Sequence, residues 1–294
     1  ASGYKIAVFS GQPEDFGDIS ETVGMRANAD IFIDGDKLKH LRAFGNGAQG
    51  SILIDEKHLL KTFAEKYAQP AKWQKPQFLY FNFQSPHFPY FHEGMPLALT
   101  SSPLPRSEIS AASRDRLQQT YWNAVHYSDQ QLGELVERLK RAGVWDNSVV
   151  VITGDHGEDL FEQGLLGHGH NINLRQNGTF MVTSRPGVTS DGPIGLSDYR
   201  TIILSLLQGK RPHVAAKPVL MTIGDLDHPT QIGIAESGSR LTSLRLDTGE
   251  ACMVEQQHCA NAQTLPGGFR DRVDRLIRTW GSARWQNRSQ SPSE

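Results

Sequence analysis

Apolar and polar residues alternate along this chain with two different periods, which predict strands and helices that follow one another. A β-branched run at 149–153 is bounded by Asn147 and Gly154, and its length favours a strand buried on both faces. Further strands are predicted at residues 5–10, 31–33, 77–83 and 179–182. Apolar residues at three- and four-residue steps predict three helices: one capped by Asp55, one over 110–142 and one capped by Ser197.

The pattern changes near Pro218. Short strands at 219–223, 231–235 and 240–246 follow without intervening helices, and an amphipathic helix is predicted around 269–281. We therefore predict an α/β fold with two domains. Residues 1–217 would form a three-layer, mostly parallel sheet with helices on both faces, and residues 218–294 a small antiparallel sheet with a helix.

Composition narrows the classes of function. The 294 residues are 38% hydrophobic and carry a net charge of −2, so a polyanion-binding surface is not expected and nucleic acid is excluded as a partner. No apolar run approaches the roughly 18 residues of a membrane span. Cys252 and Cys259 lie seven positions apart, a spacing that fits either a small disulfide-closed loop or two separate thiols.

Asp155 and His156 follow the apolar run directly and form the first candidate site. Ligands of open α/β sheets bind outside the carboxyl ends of strands, and the flanking Gly154 and Gly157 allow both side chains to reach one ion. Oxygen and imidazole ligands together suit Zn, Mn or Mg. The alternative is a surface turn in which Asp155 caps a following helix.

Other histidines are candidates to contact an anion. His168 and His170 would share one side of an extended glycine-rich segment. The alternative is that this segment is a flexible, solvated loop. His87 lies between Pro86 and Pro89, where a stiff loop can hold a substrate group, unless the loop only packs on the core. Arg175 could face an anionic substrate, or be a solvated arginine.

Several segments resemble one known family. The runs DNSVVVITGDHGE and GLLGHGHN, the SPHFPYF loop and the long helix ending ERLKRAGVWDN are similar to the sulfatase branch of the alkaline phosphatase superfamily. Membrane-anchored phosphoethanolamine and phosphoglycerol transferases belong to the same branch. The ending RLTSLRLDTGEACMVE and the following helix resemble the small carboxyl-terminal subdomain of sulfatases.

The resemblance implies roles for individual residues. Asp155 and His156 match metal ligands for one divalent ion (Ca, Mg, Mn or Zn), and His87 and His168 match catalytic histidines that contact the transferred group. His170 and Arg175 are expected to bind substrate. The metal would offset charge on an anionic ester, a lipid headgroup being one candidate, and histidines would stabilise the oxygens of the transition state.

One departure from the family concerns the nucleophile. The family uses a formylglycine made from Cys or Ser, or a Thr, and neither cysteine of this chain lies in a Cys-x-Pro-Ser-Arg setting. The chain opens on Ala1 without an initiator Met, at the strand that follows the family's nucleophile segment. We therefore expect a piece of a longer protein that lacks its first strand and nucleophile and is inactive alone. The whole protein is expected to be extracytoplasmic, periplasmic or cell-surface, and membrane-anchored through the missing part.

The function expected from the sequence is metal-dependent hydrolysis or transfer of sulfate or phosphate esters. One rival is a non-catalytic module of the same fold that binds lipid headgroups or a protein partner. A second rival is a two-metal phosphatase or phosphomutase.

Overall fold

The fold is described from a computed structural model, over residues 3–43, 53–225 and 227–288. The chain divides into two compact units, Ala1–Ser148 and Val149–Glu294, called here the amino-terminal and the carboxyl-terminal unit. The domain boundary predicted at residue 217 stays a prediction.

The amino-terminal unit is built on a three-stranded parallel sheet. Strands β1 (Lys5–Ser10), β2 (Ile31–Ile33) and β3 (Gln77–Asn82) lie in the order β2-β1-β3. The register pairs Val8 with Phe32 on one side and with Tyr80 on the other. All three strands therefore end at the same edge, and the polar residues that follow them emerge there.

The described part of this unit has four α-helices: α1 (Ile19–Thr22), α2 (Met25–Asn28), α3 (Glu56–Lys66) and α4 (Arg114–Arg141). The apolar stripe of α3 packs Leu60 and Phe63 against Phe9 of β1, and Leu135 of α4 joins the same buried cluster. Phe9 stacks on Phe81 with 5.2 Å between ring centroids. This aromatic core holds α3 firmly against the sheet, and α3 in turn carries two acids that are described below.

The carboxyl-terminal unit begins with β4 (Val151–Thr153), which pairs antiparallel with β7 (Met181–Thr183). Two short pairs lie nearby in the chain: β5 (Asp159–Leu160) with β6 (Leu166–Gly167), and β8 (Thr189–Ser190) with β9 (His213–Val214). Helix α5 (Leu174–Asn177) lies between the two pairs in the chain, and helix α6 (Tyr199–Leu207) connects β8 to β9. Ile202 and Leu206 of α6 are buried against Val149, Val151 and Met181.

A five-stranded antiparallel meander and a helix complete this unit. The strands are β10 (Val219–Gly224), β11 (Pro229–Glu236), β12 (Arg240–Arg245), β13 (Glu250–Met253) and β14 (His258–Asn261), followed by α7 (Gly267–Arg288). Ile232 and Ile234 alternate on the inner face, where Phe269, Val273 and Leu276 of α7 cover them. Cys252 and Cys259 lie directly opposite in β13 and β14 and form a disulfide.

The predicted fold class is confirmed: a parallel sheet with helices is followed by an antiparallel sheet with a helix. Two local expectations were wrong. The strand at 149–153 is not buried on both faces, since Val151 and Ile152 are half-buried and Thr153 is exposed. Within the described residues, the only strand that pairs with β4 is β7. Ser197 does not cap α6, because Asp198 is the residue that precedes the helix, and its carboxylate accepts from the Gly195 N–H of the preceding turn.

Among the described helices, none combines the length and the apolar character that crossing a bilayer requires.

Candidate functional site

The residues after β4 form a tight turn fixed from three directions. Thr153 Oγ1 donates to the Phe180 carbonyl at 2.8 Å and lies 2.9 Å from the Tyr199 hydroxyl. The Gly157 N–H donates to the Gln176 carbonyl at 3.0 Å. A Cβ on Gly157 would lie 2.0 Å from the Arg175 carbonyl oxygen, so only glycine allows this approach. The backbone around Asp155 and His156 is consequently held in one position.

His156 is oriented by its own turn. Its Nδ1 lies 2.9 Å from the Gly157 carbonyl oxygen, so Nδ1 carries a proton and donates it. The neutral ring then presents Nε2 as its lone-pair nitrogen, and Asp155 Oδ2 lies 3.5 Å from that atom. Two ligands held about 2.1 Å from one ion at a tetrahedral angle are about 3.4 Å apart. The Asp155–His156 pair thus has the separation that two ligands of one cation need.

A hairpin brings Glu158 and His168 together. β5 and β6 pair Asp159 with Gly167, which places the preceding Glu158 opposite the following His168. His168 Nδ1 lies 2.6 Å from Glu158 Oε1, and the Glu158 side chain is largely buried. This hydrogen bond is the main cause that raises the pKa of His168 above its ordinary value. The carboxylate therefore orients the ring and favours its protonated form.

His156 and His168 stack on each other, with ring centroids 3.6 Å apart. Ligand atoms from His156, Glu158 and His168 all lie within 4.8 Å of one another, which makes the three residues a group able to hold a metal ion. Imidazole and carboxylate donors suit Zn or Mn. A hydrogen bond from the second ring nitrogen to a carbonyl or carboxylate is the arrangement usual for metal-binding histidines, and both rings have it.

The donor chemistry therefore fits the divalent ion that the resemblance implies. Asp155 with His156 forms one possible ligand pair, and Glu158 with the two histidines forms another. Glu158 received no role from the sequence. Its signal was present, because residues two apart in an extended segment share a side and Glu158 stands two residues after His156.

Other predicted residues are held by contacts of their own. The backbone N–H of His170 donates to Gln176 Oε1 at 3.0 Å, and its Nε2 lies 3.1 Å from the Leu166 carbonyl oxygen. Arg175 belongs to α5, which Asn173 caps, and its guanidinium lies 3.5 Å from Glu162 Oε1. Their predicted substrate contacts stay predictions.

His87 lies in the amino-terminal unit, in the loop that follows β3. Its Nδ1 lies 2.9 Å from the Phe88 carbonyl oxygen, and a cis peptide bond links Phe88 to Pro89. The ring is therefore oriented by its own loop, as His156 is. Its predicted contact with a transferred group stays a prediction.

Solved structures of similar fold include three from bacteria. The lipoteichoic acid synthase LtaP from Listeria monocytogenes matches with a TM-score of 0.60 and 19% identity, over 96% of this chain and 70% of that one. An alkaline phosphatase superfamily protein from Vibrio parahaemolyticus matches with a TM-score of 0.54 and 18% identity, over 97% of this chain and 66% of that one. The putative sulfatase yidJ from Bacteroides fragilis matches with a TM-score of 0.57 and 15% identity, over 79% of this chain and 59% of that one. At these identities the likeness shows the fold.

The sequence family is shown by a separate comparison. The family model named Sulfatase matches residues 14–182, a stretch that includes the His87 loop, the turn after β4 and the β5–β6 hairpin. The match covers more than half of the 294 residues. This chain belongs to the sulfatase family.

Proposed function

We propose that this chain binds one divalent cation beside the anionic group of a sulfate or phosphate ester, in an enzyme that hydrolyses or transfers that group. The observation that carries the proposal is the turn after β4. There His156 donates through Nδ1 to the Gly157 carbonyl and presents Nε2 3.5 Å from Asp155 Oδ2. Membership of the sulfatase family supports the ester chemistry.

Each predicted site residue has its own proposed role. Asp155 and His156 hold the cation, which when bound offsets charge on the ester and favours a deprotonated nucleophile. Glu158 fixes His168 through the 2.6 Å hydrogen bond, so that a protonated His168 can donate to an ester oxygen as negative charge develops there. His170 and Arg175 are proposed to bind the remainder of the anion, and His87 to contact the transferred group.

The nucleophile is proposed to lie outside these 294 residues. A formylglycine made from cysteine needs a thiol, and Cys252 and Cys259 are joined in a disulfide. The disulfide also supports an extracytoplasmic location, because disulfides persist in oxidising compartments. We propose a membrane-anchored protein and an ester that includes a lipid headgroup; the resemblance to membrane-anchored transferases and the likeness to a lipoteichoic acid synthase support this.

Metal binding to the purified chain tests the proposal directly. Titration with Mn²⁺ or Zn²⁺ in a calorimeter is expected to give one site, and His156→Ala is expected to weaken it about 10-fold or more, since an oriented ligand is lost. His126→Ala is the matched control, because His126 is a half-buried histidine of α4 that contacts Gln130 and was not predicted to bind metal. Binding that His156→Ala leaves unchanged would refute the site, and two tight ions would favour a two-metal phosphatase.

The anion is tested on the metal-loaded chain. Inorganic phosphate and sulfate are titrated separately, and His168→Ala is expected to weaken the preferred anion about 10-fold, the usual loss for one charge-assisted hydrogen bond. The preference between the two anions separates a phosphate from a sulfate enzyme. Rapid turnover of p-nitrophenyl sulfate or bis-p-nitrophenyl phosphate by this chain would refute the proposal that the nucleophile lies outside these residues.

A further inference from the structure

Two neighbouring acids at the start of α3 are almost fully buried. Asp55 is 2% exposed and Glu56 is 0% exposed. Acidic side chains are rarely buried to this extent unless they are paired. Asp55 caps the helix by accepting from the Lys57 N–H at 3.0 Å. The helix makes no such use of the Glu56 side chain, so its burial needs another explanation.

Glu56 fastens the beginning of the loop that carries His87. Its Oε1 accepts the backbone N–H of Gln84 at 2.8 Å and that of Ser85 at 2.7 Å. Its Oε2 accepts the Ser85 hydroxyl. Three donors from two consecutive residues therefore converge on one carboxyl group. Burial raises the pKa of Glu56, although these hydrogen bonds act in the opposite direction.

The end of the loop faces the other acid. His92 is 2% exposed, and its Nδ1 lies 3.0 Å from the Glu93 carbonyl oxygen. Its Nε2 lies 3.7 Å from Asp55 Oδ2. Asp55 Oδ1 accepts the Tyr127 hydroxyl at 2.6 Å, which fixes the carboxylate from the side of α4. Residue 84 is thus hydrogen-bonded to Glu56 at the start of the loop, and His92 at its end lies close to Asp55 without a hydrogen bond between the two side chains.

The interior of the loop is also fixed. The His87 N–H donates to the Gln84 carbonyl, and the Tyr90 N–H donates to the His87 carbonyl, each at 2.9 Å. Tyr90 is fully buried and meets Tyr121 of α4 edge to face, at 5.3 Å between ring centroids. Its φ of 67° is unusual for a residue other than glycine, so packing dictates the backbone at this position. The loop between the two acids consequently has few alternative conformations.

We propose that Glu56 is a positioning residue for His87, acting by holding the start of the 84–92 loop on the first turn of α3. The proposal rests on the proposed function, in which His87 contacts the anion. Glu56 itself touches no substrate, and it acts through the loop. Misplacing a substrate-contacting group by about 1 Å can cost up to 100-fold, so release of one end of the loop is expected to be measurable.

A double-mutant cycle tests this role. Phosphate affinity of the metal-loaded chain is measured for wild type, Glu56→Ala, His87→Ala and the double variant. Glu56→Ala is expected to weaken phosphate about 10-fold in the wild-type background and less than about 2-fold when His87 is already alanine. Glu56→Gln keeps an acceptor for both N–H groups and is expected to restore most of the affinity. Glu65→Gln, on the exposed face of α3, is the control.

The outcomes separate the two levels of the argument. If His87→Ala leaves phosphate affinity unchanged, the proposed role of His87 is wrong and the positioning role falls with it. If His87→Ala weakens binding but Glu56→Ala does not, or does so equally in both backgrounds, the positioning role alone is refuted. Should Glu56→Ala not fold, Ser85→Ala removes one of the three donors, and the same cycle with His87→Ala decides.

Discussion

Gly157→Ala is the sharpest test of how the site is built. The added Cβ would lie 2.0 Å from the Arg175 carbonyl oxygen and 2.8 Å from that of Gly178. Both are backbone atoms that cannot rotate away. Because real Cβ atoms essentially never come closer than 3.0 Å to another heavy atom, the turn and the α5 segment must separate by about 1 Å.

The cost follows from that displacement. Overpacking of this kind costs about 1–3 kcal/mol. The hydrogen bond from the Gly157 N–H to the Gln176 carbonyl contributes about 0.5–1.5 kcal/mol more. We expect the free energy of unfolding to fall by about 2–4 kcal/mol. The same shift moves the carbonyl that orients His156, so Mn²⁺ affinity is expected to fall about 10- to 100-fold.

Urea unfolding without metal and calorimetric titration with Mn²⁺ measure the two effects separately. Gly133→Ala is the matched control, because Gly133 lies on the exposed face of α4 and a Cβ there would meet nothing within 4 Å. That substitution is expected to stabilise the protein by about 0.5–1 kcal/mol. A Gly157→Ala variant with unchanged stability and unchanged metal affinity would show that the turn is not packed as described.

Two further predictions concern stability. Burial raises the pKa of Asp55, but hydrogen bonds from Lys57 and Tyr127 outweigh it and hold this pKa below 3.8. The resulting stabilisation is present above pH 3.8 and is lost as the pH falls through the lowered pKa. Tyr127→Phe should therefore lower the free energy of unfolding by about 1–2 kcal/mol near neutral pH and by progressively less in acid. Urea unfolding at several pH values measures this, and a loss that does not depend on pH would contradict it. Replacing Cys252 and Cys259 by serine opens a loop of about 8 residues and should lower the free energy of unfolding by about 2–3 kcal/mol in the same assay. An unchanged urea midpoint would contradict this prediction.

Local patterns predicted the regular elements well. Strands Lys5–Ser10 and Ile31–Ile33 and the capping role of Asp55 occur as predicted, because short apolar runs and cap residues act over a few neighbouring positions. The helix predicted at 269–281 exists but continues to Arg288. The two cysteines were ambiguous from spacing alone. Their bond follows from the pairing of β13 with β14, which places them opposite each other.

Residues close in sequence determined half of the candidate site, and tertiary structure decided the other half. Asp155 and His156 are neighbours beside two glycines, so their convergence could be predicted from the chain itself. The hydrogen bond between Glu158 and His168 depends on the β5–β6 register, and the fastening of residues 84–92 by Glu56 joins positions nearly thirty residues apart. A sequence pattern reports which side chains share a face over a few residues. Which distant groups meet is decided only when the whole unit packs, because burying the apolar core selects one register and one set of loop ends.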